Sequence, residues 1–230
     1  LFRPGRCGQQ PIGPLGGIGM AHYVRDDHER AAFQCGPGAI GLNPAARRSL
    51  GAVFVPEERI GHAAVADMTL VDNSYLTGDT RMNFSHRGLI DWPAVTRFTQ
   101  KVVQNFDVRT TRVDALANSL SGGNLQKFIV GREILQQPSL LVVSQPTWGV
   151  DAGAAAAIHE EIQRLVSAGA AVLMISQDLD EVFLLSHRIA VISQGTLSVT
   201  TPIDEVSPED IGLLMGVRHE VQPKVDHVAA

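Results

Sequence analysis

The chain has 230 residues, of which 44% are hydrophobic and 19% charged, a balance typical of a globular protein with a sizeable core. A formal net charge of -5 argues against a nucleic-acid partner, because phosphate backbones are bound mainly by clustered Lys and Arg. No apolar run approaches the roughly 20 residues that cross a bilayer, and the two cysteines lack the spacing of a zinc site.

Residues 1–40 come first along the chain. They carry scattered Gly, Pro, Cys and His without helical or strand periodicity, which predicts a divergent, poorly ordered segment. Residues 13–19 are rich in glycine, but they lack the Lys and the Ser or Thr that end a phosphate-binding loop. We therefore interpret residues 13–19 as a flexible segment.

Composition shifts near residue 40, and the pattern becomes regular from Leu50 onward. A short strand is predicted at 52–55, and residues 62–118 lack strand signals and indicate a helical insertion with a helix capped by Asp91. The second half alternates between strands at 140–143, 171–175 and 189–192, helices at 152–166 and 179–185, and a last helix that begins at Ser207. Near-continuous apolar strands between helices predict an α/β fold with a mostly parallel sheet.

The strongest local signal is the sequence LSGGNLQK at residues 120–127, which precedes an amphipathic helix. Ser121 is suited to cap that helix, while Gly122 and Gly123 leave backbone N–H groups open to an anion. A helix N-terminus adds a partial positive charge of about half an elementary unit. The pattern predicts a phosphate site, with a plain capped helix after a glycine turn as the alternative.

Residues 120–127 resemble the signature loop of ATP-binding-cassette (ABC) proteins, in the variant found in sugar- and nucleoside-type importers. Three further segments resemble landmarks of this family in the right order: VPEER at 55–59 the Q-loop region, SQPTWGVD at 144–151 the Walker B segment and D-loop, and ISQDLDE at 175–181 the switch-histidine segment. The closest likeness is to the degenerate second nucleotide-binding domain of these importers.

The resemblance extends over about residues 41–215. It implies a P-loop NTPase-like ABC ATPase core at 41–217, with a helical subdomain at about 62–137 and a C-terminal tail at 218–230. Trp148 stands where these families usually have Arg, so the packing of the D-loop departs from the family's pattern.

Four positions depart from the catalytic pattern of a complete cassette. Ser144 occupies the place of the Walker B Asp, Gln145 that of the general base, Gln177 that of the switch His, and Glu57 that of the Q-loop Gln. A hydroxyl is a poor magnesium ligand and an amide does not accept a proton at neutral pH. We expect the chain alone to be inactive as an ATPase; a substitute base at Glu57 or Asp178 is the alternative.

The Walker A loop of the family should fall within residues 1–40, where it is missing or divergent. The lysines are Lys101, Lys127 and Lys224, and none follows a glycine. Residues 7–10 (CGQQ) are a candidate remnant. Truncation, frameshift and real divergence all stay open.

Cassettes of this family pair head to tail, so the resemblance implies that this chain completes the ATP site of a partner. Its nucleotide contacts in trans would be Ser121, Gly122, Gly123 and Gln126 of the signature loop and Asp151 of the D-loop. ATP and Mg²⁺ would be held mainly by the partner cassette, in the same long chain or in a homologous subunit.

A membrane permease is the other implied partner, and the implied location is cytoplasmic, on the inner face of the membrane. The leading interpretation is thus an importer subunit for simple sugars or nucleosides. The alternatives are a non-transport ABC-type ATPase and a non-catalytic interaction module or decaying fragment.

Overall fold

A computed structural model describes residues 19–24, for which only the backbone is considered, and residues 42–216. The predictions for the rest of residues 1–40 and for the tail at 218–230 lie outside the described residues. The predicted α/β architecture is confirmed over the described part.

Seven strands of the described residues form the main sheet, in the order β2-β5-β6-β1-β7-β8 with β9 also paired to β7. Their bounds are Gly19–Val24 (β1), Ala52–Val55 (β2), Leu140–Ser144 (β5), Ala171–Ser176 (β6), Arg188–Ser193 (β7), Thr196–Leu197 (β8) and Thr201–Pro202 (β9). The apolar strands β2, β5 and β6 pair in parallel. Their carboxyl ends therefore lie along one edge of the sheet, which we call the carboxyl edge.

Strand β1 differs from the expectation for residues 1–40, which show no strand periodicity. It lies between β6 and β7 and is antiparallel to both, with Met20 opposite Ser176 and Val24 opposite Val172. The amino end of β1 is therefore the end that reaches the carboxyl edge. The residues of β1 show no clear apolar alternation, so the pattern did not reveal the strand.

The described helices are Pro44–Ser49 (α1), Leu70–Met82 (α2), Trp92–Asn105 (α3), Gly122–Ile134 (α4), Ala152–Ser167 (α5), Leu179–Leu185 (α6) and Pro208–Gly216 (α7). Side-chain caps begin several of them where the sequence predicts a cap, as at Asp91 for α3. The helical insertion also contains a short hairpin, Ser85–His86 (β3) with Leu89–Ile90 (β4), that the sequence did not indicate. Two-residue strands are too short to produce a period.

One continuous apolar core joins the sheet to the helical insertion. Helix α4 lies at its centre, with Phe128 and Ile129 fully buried between the sheet and helices α2 and α3. Arg132 on the same helix is buried, and it donates hydrogen bonds to the carbonyls of Ala63 and Asn73 and pairs with Glu133. The helix that carries the signature loop is thus fixed along its length.

Candidate functional site

The carboxyl edge brings together three segments far apart in the chain, because β2, β5 and β6 all end there. Ser144 is the last residue of β5 and is buried. Gln145 follows with a positive φ of 51°, and its N–H donates to the carbonyl of Ile175 at 2.8 Å. The Gln145 Oε1 accepts the N–H of Gln177 at 3.4 Å. The structure therefore places Gln145 and Gln177, two of the predicted degenerate positions, in contact.

Glu57, another predicted degenerate position, does not take part in the contact between Gln145 and Gln177. It is exposed, and among the described residues it has no hydrogen bond or ion pair. The groups at the other three predicted degenerate positions are then one hydroxyl and two amides, with the Gln145 oxygen already engaged. This set does not fit Mg²⁺, which prefers carboxylates and water.

The signature loop lies at the start of α4. Ser121 is the N-cap, and its Oγ accepts the side-chain amide of Asn124 at 2.9 Å and the backbone N–H of Asn124 at 3.5 Å. Ser121 and Gly122 are exposed and Gly123 is half-buried. Because the first N–H groups of a helix have no acceptor inside it, this turn presents open donors and the positive end of the helix dipole. Its chemistry fits a phosphate oxygen.

Gln126, a predicted nucleotide contact, is buried beneath the signature loop. Its side chain is only 2% exposed, and its Nε2 donates to the carbonyls of Gln145 at 3.1 Å and Pro146 at 3.0 Å. An amide held in this way supports the loop from inside. Sequence reasoning grouped Gln126 with the nucleotide contacts because burial is not visible in a motif.

Asp151 is the N-cap of α5, where its carboxylate accepts the N–H of Ala154 at 3.0 Å. This hydrogen bond is the main reason that the pKa of Asp151 is lowered, and the charge of nearby Lys127 adds to it. The Lys127 Nζ lies 3.9 Å from the Asp151 carboxylate and 3.5 Å from that of Asp107. Asp151 is therefore ionised and exposed beside the signature helix.

Arg59 is a residue of this site that sequence reasoning did not single out. Its Nε donates to the Gln126 Oε1 at 3.0 Å, and its Nη2 donates to the carbonyl of Trp148. Its guanidinium carbon lies 5.5 Å from the centre of the Trp148 ring. The only sequence signal for Arg59 was its position as the last residue of the Q-loop-like segment at 55–59.

Glu181 is a second residue whose role only the structure shows. It is buried on α6, where it accepts hydrogen bonds from Ser176 at 2.7 Å and Thr147 at 2.8 Å and lies 2.9 Å from the Nε2 of His159. The carboxylate thereby links the turn after β5, the end of β6 and helix α5. Glu181 thereby stabilises the carboxyl edge from the buried side.

The sequence comparisons give relatives of one kind, although no protein-family profile matches the chain. A glucose import ATP-binding protein of Haloferax volcanii is 38% identical over 167 residues, covering 72% of this chain and 30% of the relative. A nucleoside import ATP-binding protein of Lactococcus lactis is 38% identical over 161 residues, covering 70% and 32%. A ribose import ATP-binding protein of Streptomyces avermitilis is 31% identical over 218 residues, covering 92% and 41%. The chain spans less than half the length of these relatives.

Solved structures agree on the fold. A dimeric ATP-binding cassette in a post-hydrolysis state with ADP and Pi matches with a TM-score of 0.59 at 18% identity, covering 71% of this chain and 68% of that one. A nucleotide-free cassette from an ABC transporter matches with a TM-score of 0.56 at 20% identity, covering 76% and 73%. Within residues 19–24 and 42–216, no helix is long and apolar enough to cross a membrane.

Proposed function

We propose that this chain is a catalytically degenerate second cassette, or part of one, in an importer for simple sugars or nucleosides. The chain belongs to the family of ABC import ATP-binding proteins and has the ABC ATPase fold. In this proposal its signature loop completes an ATP site whose phosphate cradle belongs to a partner cassette. The partner lies in the same long chain or in a homologous subunit. A permease in the membrane is the other partner, which places the chain on the cytoplasmic face.

The observation that carries the proposal is the contrast between the signature loop and the predicted degenerate positions at the carboxyl edge. The loop at Ser121 and Gly122 is exposed, capped and open to a phosphate. The positions that would act on ATP bound to this chain are the neutral Ser144, Gln145 and Gln177, with Gln145 hydrogen-bonded to Gln177. Of the two, only the signature loop has the chemistry to bind a nucleotide phosphate.

The direction of β1 also supports a site in trans. In α/β sheets a phosphate loop follows the carboxyl end of a strand and leads into a helix. Strand β1 fills the central position of the sheet but brings Gly19, its amino end, to the carboxyl edge. A strand in this direction does not deliver a following phosphate loop to that edge.

ATP held by the partner would supply the phosphoryl group, and the residues of this chain would bind and orient it. The Ser121 hydroxyl and the N–H groups of the first turn of α4 are the donors. Since a hydrogen bond to a charged group contributes about 1.5–3 kcal/mol, loss of one donor should weaken closure over ATP by about tenfold or more.

The sequence alone suggests Gly122→Asp as a test, but the structure makes Ser121→Asp cleaner. A Cβ at position 122 would lie 2.7 Å from the Arg59 Nη1, so that variant would also disturb Arg59. Asp at position 121 keeps a good N-cap and adds a negative charge where a phosphate would bind. We expect Ser121→Asp to abolish the ATPase activity of the full transporter that contains this chain.

Ser121→Asn is the matched control, because Asn caps equally well without the charge. It should retain much more activity than Ser121→Asp. Full transport-coupled ATPase in Ser121→Asp would rule out this loop as part of the partner's ATP site.

A further inference from the structure

The contacts of Arg59 connect three segments of the carboxyl edge. Arg59 follows strand β2, Gln126 belongs to the signature helix α4, and Trp148 belongs to the turn between β5 and α5. The guanidinium donates to the Gln126 amide oxygen at 3.0 Å and to the Trp148 carbonyl, while Gln126 donates onward to Pro146 at 3.0 Å. A planar fork with fixed donors suits this bridging position better than a flexible ammonium group.

Two glycines make room for the guanidinium. A Cβ at Gly122 would lie 2.7 Å from the Arg59 Nη1, and a Cβ at Gly149 would lie 2.9 Å from the Nη2. Gly149 also has a φ of 68°, in the left-handed region that favours glycine. Gly122 therefore leaves room for the Arg59 side chain of this chain as well as for the approach of a phosphate.

Trp148 provides the third side of this position. Trp148 is 62% exposed, so burial does not account for an indole here. The ring lies under the Arg59 guanidinium at 5.5 Å, a distance at which cation–π attraction is significant. An Arg at position 148 would instead bring two positive charges together.

We propose that Arg59, Gln126 and Trp148 form a clamp that positions the signature loop against the D-loop turn, with Arg59 as its central positioning residue. We call these three residues the Arg59 clamp. This inference rests on the proposed function, since the clamp acts on ATP only through the placement of the loop. Within the clamp, Trp148 and Arg59 form one cation–π pair.

The geometry of the clamp is tested first by fluorescence of the purified chain. The sequence has two tryptophans, and Trp92→Phe leaves Trp148 as the only one. In that background, Arg59→Ala uncovers one face of the indole, so we expect a red shift of the emission maximum and easier quenching by acrylamide. Gly122→Ala should give the same shift by displacing the guanidinium, and should add nothing once Arg59 is Ala.

The functional role is tested in the full transporter that contains this chain. Arg59→Ala should raise the KM for ATP by about tenfold, the equivalent of one lost charged hydrogen bond, with a smaller change in kcat. Arg59→Lys should not restore the KM, because its ammonium lacks the fork. Arg97→Ala is the matched control, since Arg97 is exposed and has no hydrogen bond or ion pair within the described residues.

The outcomes separate the clamp from the proposed function. If Arg59→Ala leaves the KM or the Trp148 emission unchanged while Ser121→Asp abolishes activity, the clamp is wrong and the site in trans stands. If neither variant affects the ATPase, both proposals fail. An emission shift together with a raised KM supports the clamp.

Discussion

Buried Glu181 shows at the scale of one residue how hydrogen bonds join the segments of the carboxyl edge. Its two oxygens accept hydrogen bonds from Thr147 and Ser176 and lie against His159. A buried acceptor with several donors contributes more than any one of its pairs, since removal leaves each donor unpaired. Glu181 thus has a structural role: it joins the segments that carry Ser144, Gln145 and Gln177.

We expect Glu181→Ala to lower the free energy of unfolding by about 3 kcal/mol, because it leaves buried hydroxyls without an acceptor and opens a cavity. Glu181→Gln keeps one oxygen acceptor and the volume, so it should cost clearly less. Urea denaturation of both variants measures the difference. Equal stability of Glu181→Ala and the original chain would contradict this role.

At the scale of elements, helix starts are the best-defined feature of the molecule. Asp91, Ser121, Asp151 and Ser207 each stand directly before a helix and accept a backbone N–H from its first turn. Asp151 is the one whose charge also meets a basic side chain, that of Lys127. Its ionisation should therefore be detectable in the stability of the domain.

The Asp151 pKa is lowered from its usual value of 3.8 in the folded chain, chiefly by the hydrogen bond from Ala154. A carboxyl with a depressed folded pKa contributes stability that is fully present above the unfolded pKa and is lost as pH falls through the folded pKa. Asp151→Asn keeps the cap but does not titrate. We expect its Tm to be lower than that of the original chain near neutral pH.

This Tm difference should shrink as the pH falls below about 4, since the original chain then loses the charged form. Thermal unfolding monitored by circular dichroism over this pH range measures it. A difference that does not change with pH would show that the Asp151 charge contributes nothing.

At the scale of the whole molecule, ATP hydrolysis needs a phosphate cradle, a metal ligand and a group that orients water. The described residues offer Ser144 and Gln145 at two of the positions predicted to be degenerate, and an antiparallel β1 at the centre of the sheet. Repairing a single position should therefore not be enough.

We expect the purified chain to show no magnesium-dependent ATPase above background, and Gln145→Glu to show none either. Phosphate release measured with both proteins, beside a preparation from cells that lack the gene, tests this. Turnover by Gln145→Glu alone would mean that a phosphate cradle exists in the chain.

Much of the fold follows from the sequence because the responsible forces are local. Strand β2 and helix α6 have the predicted bounds, and the predicted cap residues begin their helices. Apolar runs and caps act within a few residues, so their patterns can be read in order along the chain. The signature-loop segment likewise begins a helix, as its sequence predicts.

Tertiary structure alone decided the features that depend on distant partners. Arg59 meets Gln126 across 67 positions and Trp148 across 89, and no local period records such a contact. Strand β1 pairs antiparallel with β6 and β7, and a strand's partners and direction are not recorded in its own residues. The sequence by itself thus determined the family resemblance and the capped, glycine-containing start of the signature helix. Packing determined how that loop is held, because packing joins residues that only the fold brings together.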